Sequence, residues 1–508
     1  MGIVPEVSGK RVIPMLLLVV LSFAFRAPAL WNADGTNADA AVVGLQAMHA
    51  LQGEVQMLLW GSTYQTSTDA LVAAAFFAVL GPTPRALMLS ALSLHVVATL
   101  LLYGALRRGL SWARAFLGTL PMVFTTASVH SFALYPPRQA SITLAIAAMF
   151  AVSRADRGAH RLWWLMLGGT LAGFACYADP YAVLFLPATC TYTLLQLRAG
   201  PRPGQGAVVF GAFGLVGMAP LWPLRAQAAV PLGTLRATTQ VVGHNLDLLF
   251  RECLPWALGA KAFRAGPAGY EPWAAPTVVA VLQAAGAAIA VGLVVAGAVL
   301  ATSRSTPAPA RRLGATGALG WLATLGAFAT SVMIFDRFAM RYLAALTPFF
   351  ALALAPVVQR LPRKLLVPAL ALPLGAAGLG GWMSFGPMVR GPVPVRIAAT
   401  EELALRDALV SRGIRVAMAD YWVSYRLTFL WREEVLVVPR NASEDRYAPY
   451  RFAWHGAERF AYVFDPETSR ETIQMVEDEL KERYATPATK EQLGRYTVYL
   501  VARTGINR

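Results

Sequence analysis

Long apolar runs separated by short polar breaks dominate the first three quarters of this 508-residue chain. A helix that crosses the hydrocarbon core of a bilayer needs about 20 mostly apolar residues. The run from Asp69 to Gly81 is apolar but too short to cross, so we expect it in the membrane interface or against the outer face of the protein. The longer runs predict about eleven transmembrane helices, at residues 12–30, 85–106, 112–130, 137–153, 162–178, 180–197, 206–225, 275–302, 314–335, 342–359 and 364–384.

Lysine and arginine fall in alternate breaks between these runs, and this pattern predicts the orientation of the chain. Positive residues in short loops stay on the cytoplasmic side of a membrane. The N-terminus and the basic loops are therefore expected in the cytoplasm. The first long loop, about residues 31–84, contains no lysine or arginine. It is expected outside the cytoplasm, together with the C-terminal hundred-odd residues.

The composition also indicates a multi-pass membrane protein. Hydrophobic residues make up 56% of the chain and charged residues 14%, which is too apolar for an ordinary soluble protein of this length. The net charge of +16 belongs to the membrane part, because acids and bases nearly balance after residue 384. It therefore serves orientation and contact with anionic lipid, and no nucleic-acid partner is expected. The three cysteines have no paired spacing, so neither disulfides nor a zinc site is predicted.

A change in composition near residue 384 predicts two domains, a transmembrane domain at 1–384 and an extracytoplasmic α/β domain at 385–508. The segments IRVAMAD, EEVLVVP, FAYVF and YTVYLVAR predict strands. TEELALRDALVSRG, YWVSYRLTFL and SRETIQMVEDELKERY predict helices, with Thr400 and Ser469 as the caps of the first and the last. Alternation of this kind favours a small sheet with helices. No GxGxxG follows a strand, so a dinucleotide pocket is not supported.

The acids of the membrane part map almost entirely to the outer side, where charges near a membrane usually pair or serve a site. Asp39 lies in the first turn of a helix predicted for NADAAVVGLQAMHALQG, with Thr36 or Asn37 as its cap. The helix dipole favours an acid there in any protein, but the ionised carboxylate is also a candidate base. Asp34, in NADG, has turn chemistry as its alternative. His49 is expected on a helix face, against lipid head groups or neighbouring side chains.

Three arginines on the outer side oppose the positive-inside trend. Arg138 lies at the mouth of the fourth predicted span, and Arg337 and Arg341 lie at the mouth of the tenth. Each is either an interfacial anchor or a guanidinium placed for a lipid phosphate, whose geometry it matches. Asp179, in the turn CYADPYA, is either a turn residue or the partner of one of these arginines.

The segments DAAVVGLQAMHALQGE and LLWGSTYQTSTDALVAAAFFAVLGPTPRAL, with RYLAALTP at a late span, resemble bacterial membrane glycosyltransferases of the GT-C superfamily. This group is related to protein O-mannosyltransferases and aminoarabinose transferases. The resemblance implies a sugar donor carried on a polyprenyl phosphate and a location in the bacterial inner (cytoplasmic) membrane. It also implies that Asp39 is the base that deprotonates the acceptor, that Asp69 is a second outer acid, and that Arg341 with Tyr342 lies near the donor phosphate.

The chain departs from the resemblance at one position. Many relatives have an acidic pair where this chain has Asp39 followed by Ala40, so Asp34 or Asp69 would have to supply the second carboxylate. A divalent metal therefore stays possible, and no cofactor is certain. The predicted catalytic residues are Asp39 and Asp34. The predicted substrate-binding residues are Asp69, Arg138, Asp179, Arg337, Arg341 and Tyr342.

Transfer from a lipid-linked donor needs a base on one side of the sugar carbon C1 and positive charge beside the departing phosphate. The predicted function is therefore an inverting transfer to a lipid, glycan or protein acceptor outside the cytoplasm. The segment ADYWVSYR is expected to shape the access of that acceptor. One alternative is a multi-pass transporter or lipid flippase for an anionic amphiphile, which predicts ionisable residues within the spans. Another is an envelope-assembly protein whose outer domain binds a partner.

Overall fold

The structure, a computed structural model, describes residues 9–155, 160–220, 223, 237–266, 269–383, 389, 390, 393, 394, 399–483 and 488–503. The first part of the chain is almost entirely helical because its runs are apolar and rich in alanine and leucine, which favour helices. Its α-helices are α1 (Gly9–Trp31), α2 (Ala38–Leu51), α3 (Thr68–Leu80), α4 (Pro84–Leu106), α5 (Trp112–Val123), α6 (Ala127–Leu134), α7 (Gln139–Ser153), α8 (Arg161–Ala178), α9 (Leu186–Leu197), α10 (Pro203–Met218), α11 (Thr239–Leu248), α12 (Leu254–Ala257), α13 (Thr277–Thr302), α14 (Ala308–Thr330), α15 (Leu346–Ala353), α16 (Ala355–Arg360) and α17 (Arg363–Met383).

Other short elements join these helices. Single 3₁₀ turns or helices occupy Ala33–Gly35, Pro180–Phe185 and Arg337–Leu343, and a π-helical turn occupies Leu249–Cys253. Two short strands, β1 (Phe263–Gly266) and β2 (Gly269–Pro272), form an antiparallel pair that the sequence analysis did not predict. Part of the predicted span 206–225 and of the segment after it lies outside the described residues.

The described residues contain five helices long and apolar enough to cross a membrane, or up to seven if each of two bent pairs is one span. The bent pairs are α5 with α6, at 77°, and Arg337–Leu343 with Leu346–Arg360, at 45°. The predicted number of about eleven is therefore not confirmed. Several predicted runs fold as helices shorter than the bilayer requires, among them α7 with 15 residues and α10 with 16. The run at 180–197 divides into a 3₁₀ helix and a 12-residue α-helix.

One charged side chain inside the first span escaped the sequence analysis. Arg26 is fully buried, and its guanidinium donates to the carbonyl oxygen of Val123 (3.2 Å) and to the hydroxyl of Thr125 (3.1 Å). It also lies 3.0 Å from Nε2 of His95. The carbonyls at the end of α5 have no helical partner where the chain bends, and buried carbonyls need donors. Arg26 thus stabilises the bend between α5 and α6.

The last part of the chain forms an α/β region, residues 399–503, hereafter the C-terminal region. Its helices are α18 (Thr400–Ser411), α19 (Tyr421–Leu430), α20 (Ala448–Gly456) and α21 (Ile473–Arg483). Two-residue strands β3 (Val389–Arg390) and β4 (Val393–Pro394) precede it. Its sheet contains β5 (Val416–Ala419), β6 (Leu436–Pro439), β7 (Arg459–Phe464), β8 (Thr489–Leu493) and β9 (Tyr496–Ala502), in the order β6-β5-β7-β9-β8. β5 is parallel to β6 and β7, and β9 is antiparallel to β7 and β8.

The four predicted strands and three predicted helices of this region are confirmed, while β8 and α20 were missed. Two predicted caps are wrong. Thr400 is the first helical residue of α18, after Ala399. The last helix begins at Ile473, because the hydroxyl of Thr472 accepts from the amide of Met475 (3.3 Å). The predicted domain boundary at 384 lies outside the described residues.

The C-terminal region packs on the first long loop, with α19 lying against α2. A Cβ atom on Gly44 would lie 2.7 Å from the ring of Phe429, so only glycine permits this close approach. Phe429 also stacks on Phe77 of α3, with ring centroids 6.0 Å apart. The glycine of the VVGL segment therefore sets the distance between the two helices.

Candidate functional site

The carboxylate of Asp39 lies at the contact between α2 and α19. Asn37 caps α2 by accepting the amide of Ala40 (2.8 Å), as predicted, and places Asp39 in the first turn. The hydroxyl of Tyr421 donates to Oδ1 of Asp39 over 2.5 Å. Oδ2 has no hydrogen bond to any residue that the structure describes. One carboxylate oxygen is thus held in place, and the other can accept from the hydroxyl of a ligand.

An arginine completes this first group of side chains. Nε of Arg446 donates to the hydroxyl of Tyr421 (3.3 Å), and Nη1 donates to the carbonyl of Gly61 (3.1 Å). Burial and the charge of Asp39 raise the pKa of Tyr421, which therefore stays protonated and able to donate. Burial alone would lower the pKa of Arg446. The neighbouring Tyr421 and Asp39 have the opposite and larger effect, so the net shift of the pKa is upward. Asp39, Tyr421 and Arg446 are called the Asp39 group below.

The segment containing WGSTYQ forms a hairpin beside this group. Leu58 and Thr66 pair as an isolated bridge, and the amide of Leu59 donates to the carbonyl of Gln65 (3.0 Å). Gln46 of α2 holds the hairpin by donating to the carbonyl of Leu58 (2.9 Å). Gly61 lies near its tip at φ +66°, and a Cβ there would lie 2.4 Å from Cδ of Arg446. The helix that carries Asp39 therefore also positions this Leu58–Thr66 hairpin.

The base of the hairpin contacts a second group of charged side chains. Gln65 donates to Oδ2 of Asp179 over 2.7 Å, and Nε of Arg138 lies 3.0 Å from the same oxygen. Asp69 accepts the amides of Arg138 (3.0 Å) and Ala140 (3.1 Å) and so caps α7. Arg138 has φ +98°, a conformation that costs a non-glycine residue about 1–3 kcal/mol. The two carboxylates hold both ends of this arginine in place.

Aromatic rings and a second arginine lie beside the buried ion pair. The guanidinium carbon of Arg138 is 5.0 Å from the ring centroid of Tyr342, and that of Arg341 is 5.2 Å from it. Nη2 of Arg341 also donates to the hydroxyl of Tyr342 (3.4 Å). Arg341 is exposed and has no carboxylate partner among the described residues. Asp179 compensates Arg138, so Arg341 is the guanidinium of this set that no carboxylate of the described residues contacts. These residues, with Asp69 and Gln65, are called the Arg341 group below.

A tyrosine of the hairpin belongs to the same surroundings. Tyr64 is 36% exposed and lies close enough to Arg138 and Asp179 to interact with their charges. Burial is the largest cause, and together with the charge of Asp179 it outweighs the charge of Arg138, so the pKa of Tyr64 is raised. Its hydroxyl therefore stays protonated. Together, Tyr64 and Arg341 offer a neutral donor and a cation to a ligand oxygen.

Two further predicted site residues have other surroundings. The guanidinium of Arg337 lies over the rings of Trp256 (5.8 Å) and Phe338 (5.5 Å). Asp34 lies in the 3₁₀ turn between α1 and α2 and is half-buried. Within the described ranges, no group of three His, Cys, Asp or Glu side chains is arranged to hold a metal ion.

His49 lies in the contact with the C-terminal region. Nδ1 is 2.7 Å from Glu54 and Nε2 is 2.8 Å from Glu433, and its ring packs edge-on against Trp60 and Tyr447. The hydrogen bond to Glu433 raises the pKa of His49, and the hydrogen bond to Glu54 adds to this effect. Burial acts in the opposite direction but is outweighed. Burial raises the pKa of Glu433, but its hydrogen bonds to His49 and Tyr450 and the charge of His49 together outweigh burial, and the net shift is downward. His49 was expected to contact either lipid head groups or neighbouring side chains, and in the structure it contacts neighbouring side chains.

The sequence analysis missed several residues of the two groups and interpreted another incompletely. Tyr421 was expected near acceptor access, but Arg446, Tyr64 and Gln65 were not singled out. Only the resemblance of the WGSTYQ segment to the GT-C superfamily indicated that Tyr64 and Gln65 lie near a site. Arg426, grouped with Tyr421 on ADYWVSYR, instead contacts Glu402 (3.2 Å) within the C-terminal region. Arg426 also contacts Tyr496 (3.0 Å) and Asp465 (3.8 Å) there.

A helical part with five to seven candidate membrane spans, a long first loop and a C-terminal sheet together define a multi-pass membrane protein. Among solved structures, the chain is similar to ArnT from Cupriavidus metallidurans bound to undecaprenyl phosphate. The TM-score is 0.60 at 12% identity, covering 97% of this chain and 98% of that one. The predicted resemblance to the GT-C superfamily is confirmed at the level of the fold.

A weaker likeness is to the archaeal oligosaccharyltransferase AglB from Archaeoglobus fulgidus in complex with an inhibitory peptide and a dolichol-phosphate. Its TM-score is 0.48 at 11% identity, covering 97% of this chain and 74% of that one. No protein-family model and no curated protein matches the chain.

Proposed function

We propose that this protein is a membrane glycosyltransferase that moves a sugar from a polyprenyl-phosphate donor to an acceptor outside the cytoplasm. The observation that carries the proposal is the pairing of the Asp39 group with the Arg341 group through the Leu58–Thr66 hairpin. Gly61 at the first group and Gln65 at the second are four residues apart, at most about 14 Å along an extended chain. The fold shared with ArnT, which was solved with undecaprenyl phosphate, supports a lipid-phosphate donor.

The proposed reaction uses Oδ2 of Asp39 as the base. An acceptor hydroxyl gives its proton to Oδ2 while its oxygen forms a bond to C1 of the donor sugar. The bond between C1 and the phosphate oxygen breaks, and the electron pair leaves with the polyprenyl phosphate. Because the acceptor attacks opposite the leaving group, the configuration at C1 inverts.

Positive charge stabilises the departing phosphate in this scheme. Arg341 is exposed and lacks a carboxylate partner among the described residues, so its guanidinium is available to the phosphate oxygens. Tyr64 and Tyr342 add hydroxyl groups beside it. Arg138 and Asp179 act mainly by holding this surface in place, and Asp69 acts by fixing the backbone of Arg138. Asp34, in the 3₁₀ turn before α2, is the proposed second carboxylate. The described residues contain no group of three side chains that would hold a metal ion, so the scheme uses none.

The proposed location is the inner (cytoplasmic) membrane of a bacterium, with the C-terminal region outside the cytoplasm. The proposed acceptor is a lipid, a glycan or a protein. A transporter or flippase for an anionic amphiphile is the alternative, and the buried Arg26 is the kind of residue that it predicts. The terminal nitrogens of Arg26 donate, however, to the carbonyls of a helix end and to Thr125, which favours a structural role.

The decisive experiment incubates the purified protein with a panel of polyprenyl-phosphate sugars and measures release of free polyprenyl phosphate. We expect Asp39→Asn to abolish release while the protein still inserts and folds. Near-normal release by Asp39→Asn would reject Asp39 as the base. Movement of the intact lipid across a vesicle membrane, without release, would instead support the transporter.

Two arginines on one 3₁₀ helix provide a matched comparison for the donor site. We expect Arg341→Ala to raise the KM for the donor about tenfold and to leave the KM for the acceptor unchanged. Arg337→Ala is expected to have the smaller effect, because that guanidinium packs on aromatic rings outside the Arg341 group. Equal effects of the two substitutions would contradict the assignment of the phosphate to Arg341.

A further inference from the structure

A cavity lies in the C-terminal region, at the carboxyl ends of its parallel strands. Its volume is about 670 Å³, within the usual range for ligand sites. Asp420 follows β5, and Arg440 follows β6, and both line it. Arg470, which follows β7, contributes a third wall. The crevice outside the carboxyl ends of parallel strands is where open α/β sheets bind ligands.

The wall of this cavity is highly polar but carries no net charge. Four arginines and four carboxylates line it, at Arg440, Arg451, Arg470, Arg483, Asp420, Glu444, Glu471 and Glu479. Their side chains pair with one another and with neighbours. Arg440 contacts Glu471 (2.7 Å) and Glu479 (2.5 Å), and Arg470 contacts Asp420 (3.0 Å). The lining therefore contains donors and acceptors with equal numbers of positive and negative charges and gives an anion little electrostatic advantage over a neutral ligand.

An aromatic residue with an unused donor lies in the same wall. Trp454 is 7% exposed, and its Nε1–H has no acceptor among the described residues. The guanidinium carbons of Arg451 and Arg503 lie 5.2 and 4.3 Å from its ring centroid. A buried donor without an acceptor costs free energy, so its persistence points to a partner that the chain itself does not supply.

We propose that this cavity binds a neutral saccharide. Hydroxyl groups both donate and accept, so a sugar ring can bind a wall that contains both guanidiniums and carboxylates and can accept from the indole of Trp454. The cavity is also next to the Asp39 group. Asp420, in its wall, caps α19 by accepting the amide of Trp422 (2.8 Å), and the adjacent Tyr421 donates to Asp39.

This adjacency identifies the saccharide as part of the acceptor, an identification that rests on the proposed function. Asp420, in the wall of the cavity, and Tyr421, which contacts Asp39, are neighbours at the start of α19, with Cα atoms about 3.8 Å apart. A glycan held in the cavity would extend from Asp420 toward the carboxylate at which transfer is proposed. The cavity thus favours a glycan among the three proposed classes of acceptor. The binding of a saccharide, by contrast, does not depend on the proposed reaction.

The test measures binding of methyl glycosides of glucose, galactose, mannose and N-acetylglucosamine by saturation-transfer NMR. It uses the purified full-length protein in detergent. We expect at least one glycoside to bind, and Trp454→Phe to weaken its binding about tenfold. Trp163→Phe, at an exposed residue of α8, is the matched control and should bind normally. Asp39→Asn should also bind normally, which separates binding from catalysis.

A second variant keeps the test valid if Trp454→Phe fails to fold. Ala442 is exposed and lines the cavity, so Ala442→Trp should fill it and abolish binding without disturbing the core. Absence of binding for every glycoside, or unchanged binding by both variants, would overturn the proposal. Displacement of the glycoside by inorganic phosphate would identify an anion site instead. Binding without sugar transfer would preserve this inference and reject the proposed function.

Discussion

The close approach of α2 and α19 at Gly44 predicts that a larger residue at this position lowers the rate of sugar transfer. Gly44→Ala places a Cβ atom 2.7 Å from the ring of Phe429, whereas ordinary contact begins at 3.4 Å. The ring must therefore retreat by 3.4 − 2.7 = 0.7 Å. A similar shift of α19 would lengthen the 2.5 Å hydrogen bond from Tyr421 to Asp39 beyond the usual range for two oxygens.

Two opposing terms decide the stability of this variant. Replacing a helical glycine by alanine favours the helix by about 1 kcal/mol, while overpacking costs about 1–3 kcal/mol. We therefore expect Gly44→Ala to leave the free energy of unfolding unchanged or lower it by up to about 2 kcal/mol. We also expect sugar transfer to fall about tenfold or more, because the base is displaced from its substrate.

Gly243, in α11, provides the matched control because a Cβ atom there meets nothing within 4 Å. Gly243→Ala keeps only the gain in helix propensity, so it should raise the free energy of unfolding by about 1 kcal/mol and leave transfer unchanged. Chemical unfolding in detergent and release of polyprenyl phosphate measure the two quantities. A second substitution, Phe429→Leu, should restore transfer to Gly44→Ala by making room. If Gly44→Ala behaves like Gly243→Ala in both assays, α19 does not position Asp39.

Three further predictions concern the two groups of charged residues and the contact at His49. Tyr421→Phe removes the hydrogen bond that holds Asp39, so we expect transfer to fall about tenfold or more, measured as release of polyprenyl phosphate. Asp179→Asn leaves the buried guanidinium of Arg138 uncompensated, and we expect the free energy of unfolding to fall by about 3–5 kcal/mol in chemical unfolding. The raised pKa of His49 predicts that the contact between α2 and the C-terminal region weakens as pH rises, measured by amide hydrogen exchange of α2.

The sign of the pH dependence follows from the two shifts. A raised histidine pKa contributes stability that is complete below its ordinary value of 6.5 and is lost as pH rises through the folded-state value. The lowered pKa of Glu433 contributes stability above its ordinary value of 4.5 and loses it as pH falls. The contact should therefore be strongest between pH 4.5 and 6.5. His49→Gln should flatten the alkaline side, and an unchanged profile in this variant would remove His49 as the cause.

Controls also separate the other two predictions from general damage. Tyr425 lies one turn after Tyr421, and its hydroxyl accepts the amide of Arg446 over 2.6 Å without touching Asp39. Tyr425→Phe should therefore keep most of the transfer activity, and equal losses in both tyrosine variants would argue against a specific role for Tyr421. For Asp179→Asn, removal of both charges with Arg138→Met should recover part of the lost stability. Without such recovery, the loss would not come from an unpaired charge.

Local patterns in the sequence determined much of the secondary structure. Apolar runs predicted most of the helices because burial of apolar surface does not depend on which neighbour covers it. Alternation of strands and helices predicted the C-terminal sheet, and the cap at Asn37 placed Asp39 in the first turn of α2. These features depend on residues a few positions apart, so the chain specifies them locally.

Tertiary structure alone decided which side chains meet. Tyr421 and Asp39 are 382 positions apart, and no local pattern pairs them. The hairpin joins the two groups because Gly61 leaves space for Arg446 and Gln65 donates to Asp179. Both contacts form only when the helices are packed together. Tertiary structure also decided the lengths of the helices. A helix can end inside the protein where neighbouring helices supply partners for its last carbonyls, whereas an isolated apolar run would leave them unpaired. The pattern of apolar residues shows which segments are buried on folding. The site depends instead on the distances between segments, and only their packing fixes those distances.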